Sequence, residues 1–213
     1  MYKSAIVKGI SRRGDSTYLV SVEVSNESGR EVVEFVLLDE LFDELMIEKG
    51  DEADDILPSM DFYSSVTAAY SSAISSFAYV QSSLKALYRK LIIKGFSKEA
   101  SREAIEIVRT RGFVDEHDIA FRRAELMVEK LWGRSRILKK LFEEGFPNNI
   151  IESVCESLEA VDFSENCCKA IEKKYSCIPE DRKDRDKMYA SLIRLGYSSS
   201  DIRRAMAKFQ ENQ

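Results

Sequence analysis

The sequence predicts a mainly α-helical fold of three tandem three-helix repeats in an elongated curved array, preceded by a small β-rich N-terminal domain. A Leu-x-x-x-Gly-aromatic segment occurs three times, and its glycines lie 50 and then 51 residues apart. Helical spacing of apolar residues follows each segment, whereas the first sixty residues show strand-like alternation between turn residues. The predicted limits are 1–60 for the β-rich domain and 61–113, 114–163 and 164–213 for the repeats.

The N-terminal domain is predicted to hold three strands and one short helix. Asp39 is predicted to cap an acidic helix that runs to about Glu48 and ends at Gly50. The acidic run Asp51–Asp55 lacks the ligand spacing of a calcium loop and is interpreted as a solvated surface segment. The strands, separated by turn residues at 13–15 and 25–29, are predicted at Ser4–Ser11, Thr17–Val24 and Arg30–Leu38.

The junction 58–83 begins at Pro58 and is rich in Ser, Ala and Tyr. Its composition is compatible with a linker, but its second half has the apolar spacing of a helix and is predicted to be helical. The residues that carry this periodicity are Val66, Ala69, Tyr70, Ala73, Ile74 and Phe77.

Each repeated segment predicts a helix that ends at a glycine, followed by an aromatic residue that packs back on the helix end. Glycine adopts the left-handed conformation of a helix C-terminus without steric cost. The segments are Leu91–Phe96, Leu141–Phe146 and Leu192–Tyr197. The next helix is predicted to be capped by Ser97, by Asn148 or Asn149, and by Ser198 or Ser199. Nine and thirteen residues past each glycine, apolar residues share one helix face: Ala104, Val154, Ala205, Val108, Leu158 and Phe209.

One more helix precedes this pair in each repeat. In the second repeat it is predicted at Glu116–Leu131, capped by Asp115 and closed by Gly133. In the third it is predicted at Glu165–Tyr175, capped by Ser164. Three helices joined by short turns give a unit that buries its apolar face by stacking on its neighbours.

The charge of the chain is unevenly distributed. The net charge is −5, but residues 1–61 contain 6 basic and 15 acidic residues, and residues 62–213 contain 26 and 22. Such a chain can present local basic faces without coating DNA indiscriminately. No apolar run has the length of a membrane helix or a signal peptide, so the sequence predicts a cytoplasmic protein with no membrane partner.

The residues that could perform chemistry are few. Cys155, Cys167, Cys168 and Cys177 form no CxxC pair and are predicted to be buried or half-buried free thiols. With the single His117 they do not make a zinc site. Asp115 and Glu116 are interpreted as a helix cap and a first-turn acid, and His117 as a solvent-facing residue. Nucleotide-binding and hydrolase motifs are absent, so no enzyme, cofactor or metal is predicted.

Basic residues on several predicted helices are the candidate binding residues. Their alternative interpretation is an ordinary solvated face, partly paired with nearby glutamates such as Glu143 and Glu144. Trp132, at the junction of two helices, is predicted to belong to the core. The candidates for filament or DNA binding are Lys90, Lys94, Arg122, Arg123, Arg134, Arg136, Lys139, Lys140, Arg203 and Arg204.

The stretch Gly112–Ala120, followed by Gly133–Phe146, resembles the central motif of the RecX family. That motif has a Gly-Phe/Leu-Ile/Val-Asp-Asp opening, an alanine near the start of the next helix, and a Gly/Arg segment that leads to the Leu-x-x-x-Gly turn. Glu116 replaces the second aspartate, and Ile119 replaces the usual aromatic residue. The strands of the N-terminal domain resemble the extra domain of longer family members.

The resemblance implies a monomeric, non-catalytic regulator that binds the RecA recombinase filament on DNA. It implies binding in the groove of the filament and modulation, expected to be inhibition, of ATP hydrolysis, strand exchange and filament growth. The corresponding processes are homologous recombination, DNA repair and the SOS response. Two alternatives remain open: a general helical-repeat DNA-binding protein that acts without a recombinase, and a protein–protein scaffold unrelated to recombination.

Overall fold

The computed structural model describes residues 4–27, 29–175 and 178–211. Within these ranges a three-stranded antiparallel sheet precedes ten α-helices and one 3₁₀ turn, which confirms the mainly α class with a small N-terminal sheet. The described residues form two compact units, one within Met1–Val80 and Leu87–Phe113 and the other within Gln81–Ala86 and Val114–Gln213. The predicted repeat limits and the elongated curved arrangement stay predictions.

The sheet of the first unit has the strand order β1-β2-β3, and each strand runs slightly beyond its predicted limits. Alternate residues of β2 face the core, and Val20, Val22 and Val24 are fully buried. A register shift interrupts the pairing of β1 with β2 between Val7 and Gly9. The strands are β1 (Ser4–Arg12), β2 (Thr17–Asn26) and β3 (Gly29–Leu38).

The helix after β3 differs from its prediction. Helix α1 (Asp39–Leu45) begins with Asp39 and has Leu38 as its N-cap, so the prediction that Asp39 caps it is wrong. The carboxylate of Asp39 accepts a hydrogen bond from Arg111 instead of capping the helix. Met46, with φ 48°, ends the helix before the predicted Glu48.

The acidic run 51–55 covers part of the outer edge of β1. The Ala53 amide donates to the Ala5 carbonyl over 2.8 Å, the Val7 amide donates to the Asp51 carbonyl, and Ala53 is fully buried. The four acidic side chains are exposed, as a solvated segment requires. The acidic side chains are solvated as predicted, and the backbone of the run in addition satisfies hydrogen-bonding groups of an edge strand.

Helix α2 (Leu57–Tyr79) covers the junction from its start to Tyr79 rather than only its second half. Its predicted apolar face is buried at Val66, Ala69, Tyr70 and Ala73 and packs against β3 and α4. The two helices that follow it are α3 (Leu84–Ile93) and α4 (Lys98–Thr110). Ser97 caps α4 by accepting the Ala100 amide, as predicted.

Arg111, at the end of α4, joins the elements of the first unit. Its Nη2 atom donates to Asp39 Oδ1 over 2.6 Å and to the Glu40 carboxylate, and its Nη1 donates to the Tyr70 hydroxyl over 3.2 Å. The guanidinium carbon lies 5.0 Å from the centroid of the Tyr70 ring. Burial alone would lower the pKa of Arg111, but its hydrogen bonds to Glu40 and Tyr70 raise that pKa above the ordinary value, so the group stays charged.

The second unit contains six helices, and two of its predicted caps are misplaced. Pro147 is the N-cap of α7, so the predicted caps Asn148 and Asn149 lie inside the first turn. Asp162 rather than Ser164 caps α8, since its carboxylate accepts the Ser164 and Glu165 amides. The helices are α5 (Glu116–Glu129), α6 (Arg134–Glu144), α7 (Asn148–Ser157), α8 (Phe163–Lys174), α9 (Arg182–Arg194) and α10 (Ser199–Glu211), with a 3₁₀ turn at Leu158–Ala160.

Helix α5 begins as predicted and ends differently. Asp115 is its N-cap and accepts the Asp118 amide over 2.9 Å. The predicted end at Leu131 and closure at Gly133 are wrong, because the helix ends at Glu129 and the left-handed residue after it is Leu131, with φ 60°. The Trp132 amide donates to the Met127 carbonyl, and the Tyr197 hydroxyl donates to the Leu131 carbonyl over 2.8 Å. These bonds hold a non-glycine residue in a conformation that it rarely adopts.

The three glycine-aromatic segments share one geometry, which confirms the repeated helix ends. Their glycines, Gly95, Gly145 and Gly196, have φ 93°, 91° and 95°. The aromatic amide after each glycine donates to the leucine carbonyl at the start of the segment, over 3.2 to 3.3 Å. The six apolar residues nine and thirteen positions past the glycines are all buried. We call each of these segments a corner and number the corners in chain order.

Corners two and three each receive the start of an earlier helix. The Ser83 hydroxyl, which caps α3, donates to the Glu144 carbonyl over 2.7 Å beside Gly145. The Gly133 amide, at the start of α6, donates to the Leu195 carbonyl over 2.8 Å beside Gly196. A Cβ atom on Gly133 would lie 2.2 Å from the Gly196 carbonyl carbon, so only glycine fits there.

We predict that Gly133→Ala destabilises the protein by more than about 2 kcal/mol, because the added methyl group forces apart the backbones of Gly133 and Gly196. Thermal and urea unfolding measure this change. The matched control is Gly9→Ala, since a Cβ atom at Gly9 meets nothing within 4 Å. Equal unfolding midpoints for Gly133→Ala and the wild type would contradict the close contact.

A second prediction concerns pH. Hydrogen bonding to Glu40 lowers the pKa of Asp39 below its ordinary value of 3.8; burial opposes this effect, and the charge of Arg111 adds to it. A carboxyl group whose pKa is lower in the folded state stabilises the fold above the unfolded pKa and stops doing so as pH falls through the folded pKa. We expect Asp39→Asn to unfold more easily at pH 7, and its difference from the wild type to shrink as pH drops below about 4.

Urea unfolding of Asp39→Asn and of the wild type at a series of pH values measures this effect. The control is Asp61→Asn, which removes an exposed carboxylate from α2 and should follow the wild type. A difference between Asp39→Asn and the wild type that persists unchanged at pH 2 would show that the Asp39 charge is not its source.

Candidate partner-binding groove

The cysteines do not form a reactive centre in the part of the chain that is described. Cys155 is half-buried and Cys167 and Cys168 are buried, and all three are free thiols, as predicted. Burial raises the pKa of the Cys167 thiol to about 12, so that it stays protonated. Cys177 lies outside the described residues.

Metal ligands and membrane-spanning helices can be considered for residues 4–27, 29–175 and 178–211. In these ranges no group of three or more His, Cys, Asp or Glu side chains could hold a metal ion. None of the helices described there has the length and apolar character to cross a membrane. Exposed His117 stacks on Phe121 at 4.3 Å between ring centroids, so it occupies the predicted solvent-facing position at the start of α5.

The second unit contains an open groove between α6 and corner three, with a volume of about 770 Å³. Four cationic side chains and one carboxylate line it, so its charge is strongly positive in a chain whose net charge is −5. Its lining residues are Trp132, Ser135, Arg136, Lys139, Lys140, Glu143, Ile193, Arg194 and Gly196. We call it the basic groove.

Arg136 and Trp132 form an aromatic-cation pair in the basic groove. The guanidinium carbon of Arg136 lies 3.9 Å from the centroid of the Trp132 ring. Trp132 is half-buried and lines the groove, so the prediction that it belongs to the core is wrong. The reason is local: α5 ends at Glu129 and Leu131 is left-handed, which places Trp132 outside the helix.

The cations of the groove come from two helices. Arg136 and Lys140 are four residues apart and share one face of α6, as predicted. Arg194, in the last turn of α9, is a groove residue that the sequence interpretation missed. It lies inside the Leu192–Tyr197 segment, and its positive charge was the only sequence feature that could have marked it as a binding residue. Ile193 adds an apolar surface that is 42% exposed.

The carboxylates near the groove neutralise it only weakly. Lys140 Nζ lies 3.7 Å from Glu144 Oε1, and Lys139 Nζ lies 3.9 Å from Glu143 Oε1. The Lys139 side chain is 76% exposed, and such surface pairs contribute between zero and about 1 kcal/mol. The lysines therefore remain available to an acidic partner.

Five of the other candidate residues have separate surroundings. Arg123 binds the Gln81 carbonyl and Glu144 inside the second unit, which is a structural role. Arg122 is exposed and pairs with Asp118. Lys94, in the first unit, donates to Ser72 and Ser76. Lys90 is half-buried on α3, and Arg203 is exposed on α10.

The last two candidates, Arg134 and Arg204, line a different cavity of the second unit. The basic groove thus brings together three of the ten predicted binding residues, Arg136, Lys139 and Lys140. Their role in binding stays a prediction.

We expect Arg136→Ala to expose Trp132 to small quenchers, because the guanidinium group covers its ring. Trp132 is the only tryptophan of the chain, so acrylamide quenching of intrinsic fluorescence reports on this position. The control is Arg122→Ala, which removes an exposed arginine of α5 that does not line the groove. Equal quenching constants for Arg136→Ala and the wild type would argue against the stacking.

Comparison with known proteins relates this chain to one family. A family model described as the third three-helix domain of RecX matches residues 161–206. The regulatory protein RecX of Clostridium tetani is 27% identical over 129 residues, which cover 57% of this chain and 58% of that protein. RecX of Caldanaerobacter subterraneus is 30% identical over 123 residues, which cover 57% and 60%. RecX of Chlorobium phaeobacteroides is 28% identical over 144 residues, which cover 65% and 91%.

The chain therefore spans less than two thirds of the length of the Clostridium and Caldanaerobacter relatives. Solved structures share its fold. A crystal structure of a regulatory protein RecX superposes with a TM-score of 0.72 at 18% identity and covers 92% of this chain and 96% of that one. The structure of RecX from Lactobacillus salivarius gives 0.59 at 20% identity, with 68% and 97% covered.

Proposed function

The chain belongs to the RecX family, and we propose that it binds the filament of the RecA recombinase on DNA and inhibits it. The effects that we propose are slower ATP hydrolysis, slower strand exchange and slower filament growth. The role that we propose is regulation by binding, without catalysis of a reaction. It acts in the cytoplasm, in homologous recombination, DNA repair and the SOS response.

The observation that carries the proposal is the basic groove. Four cations, the Trp132 ring and exposed Ile193 lie together in a unit of an otherwise acidic protein. Aromatic residues and arginine are typical of the parts of an interface that contribute most to binding. Lysines around them attract and orient a partner with negative charge, such as a filament built of protein and DNA.

The alternative, a protein that binds DNA without a recombinase, has one observation in its favour. An aromatic ring among cations is also the arrangement on which single-stranded bases stack. Binding of this kind weakens steeply with salt and needs no partner protein. The acidic front of the chain, with 15 acidic and 6 basic residues in 1–61, opposes it.

The test is a titration of the cognate recombinase, assembled on single-stranded DNA, with ATP hydrolysis as the measured rate. We expect the wild-type protein to inhibit hydrolysis, and Arg136→Glu combined with Lys140→Glu to need at least about tenfold more protein for half-inhibition. The reason is that charge reversal turns attraction to an acidic surface into repulsion.

The matched control reverses two other charges at the same spacing. Lys98→Glu with Arg102→Glu alters exposed residues four apart on α4, away from the groove, and should inhibit like the wild type. Circular dichroism checks that both variants fold. Equal inhibition by the groove variant would remove the basic groove from the proposal, and lack of both inhibition and binding by the wild type would refute the proposed function. Salt-sensitive binding to DNA alone, without any effect on the recombinase, would support the alternative.

A further inference from the structure

A second cavity of the second unit, with a volume of about 730 Å³, lies where α6, α8 and α10 begin. Its surface combines hydroxyl groups, charges and a few apolar side chains. Its lining residues are Arg134, Ser135, Leu158, Glu159, Ala160, Val161, Asp162, Phe163, Ser164, Gly196, Ser198, Ser200, Asp201, Arg204 and Lys208. We call it the Arg134 cavity.

Two of its three cations already have carboxylate partners. Arg204 Nη2 lies 3.0 Å from Asp201 Oδ1, and Lys208 Nζ lies 3.3 Å from Asp162 Oδ2. The two carboxylates also accept hydrogen bonds from Ser198 and Ser164. These groups balance one another in charge and hydrogen bonding. Glu159, the third carboxylate, is exposed.

Arg134 is the exception. Its side chain is half-buried, its Nε atom is buried without a hydrogen-bond partner, and its guanidinium has no ion pair within the described ranges. A buried donor that has lost water and gained no acceptor is unfavourable, and more so when it carries charge. The Nε–H group of Arg134 therefore lacks an acceptor in the described part of the chain, and a carboxylate oxygen would supply one.

We propose that the Arg134 cavity receives a carboxylate side chain, aspartate or glutamate, from the protein partner. The proposal rests on the proposed function, because it names the chemistry by which the filament's protein surface would be held. A guanidinium group binds a planar carboxylate through two parallel hydrogen bonds. The Arg134 guanidinium has no carboxylate partner of its own among the described residues, and Asp162 and Asp201 would repel a doubly charged phosphate more strongly than a singly charged carboxylate.

The direct test needs no recombinase. The probe is N-acetyl-glutamate amide, which carries one carboxylate, and its neutral analogue N-acetyl-glutamine amide is the control. We expect the Nε–Hε NMR resonance of Arg134 to shift saturably with the glutamate probe, in the millimolar range, and not with the glutamine probe. Inorganic phosphate is the third arm and should bind more weakly than the glutamate probe.

Variants of Arg134 test whether the cavity contributes to binding of the filament. We expect Arg134→Gln to lower the affinity for the filament about tenfold and Arg134→Lys to restore it only in part, because lysine lacks the two-pronged geometry. Removing an unpaired half-buried charge should leave the melting temperature unchanged or higher, whereas the loss of a structural contact would lower it. Arg102→Gln, in the first unit, is the matched control and should bind like the wild type.

Three results would overturn the proposal. No saturable shift with the glutamate probe, or tighter binding of phosphate, overturns the proposal. A lower melting temperature for Arg134→Gln, with filament affinity unchanged, also overturns it. The proposed function is tested by a different measurement. A wild-type protein that neither binds nor inhibits the recombinase would refute it, yet could still show the Arg134 shift with the glutamate probe.

Discussion

The contact between the start of one helix and the corner of a later segment is the constraint on which the second unit depends. Gly133 and Gly196 meet backbone to backbone, and the amides of Gly133 and Ser135 satisfy carbonyl groups that the end of α9 leaves free. That contact fixes α6 against corner three. The basic groove lies along this junction, so its charges are positioned by the same bonds that close the helix end.

Most of the helical fold could be predicted because the signals for its helix ends are local. A glycine and a leucine four positions before it are enough to specify each corner, and both are visible in the sequence. The helix caps were harder to assign from residue type alone. Asp162 and Ser164 both offer an oxygen near the start of α8, and the choice between them depends on backbone geometry rather than on residue type. Asp39 was misassigned because its partner, Arg111, is 72 residues away.

The candidate groove shows the same division between local and distant information. The spacing of Arg136 and Lys140 on one helix was sufficient to place them on a common face. Arg194 comes from another helix, and nothing in its own neighbourhood indicates that α6 lies beside it. Arg123 looked equivalent to the groove arginines in the sequence, yet Glu144 and the Gln81 carbonyl hold it inside the unit.

Leu131 explains a difference among the three corners, two of which end in phenylalanine and the third in tyrosine. Only Tyr197 carries a hydroxyl group, and that hydroxyl binds the carbonyl of a leucine held at φ 60°. The choice of aromatic residue in the last segment is thus tied to a helix end 66 positions earlier in the chain. Phenylalanine serves the first two corners, whereas at the third it would deprive a strained turn of its restraint.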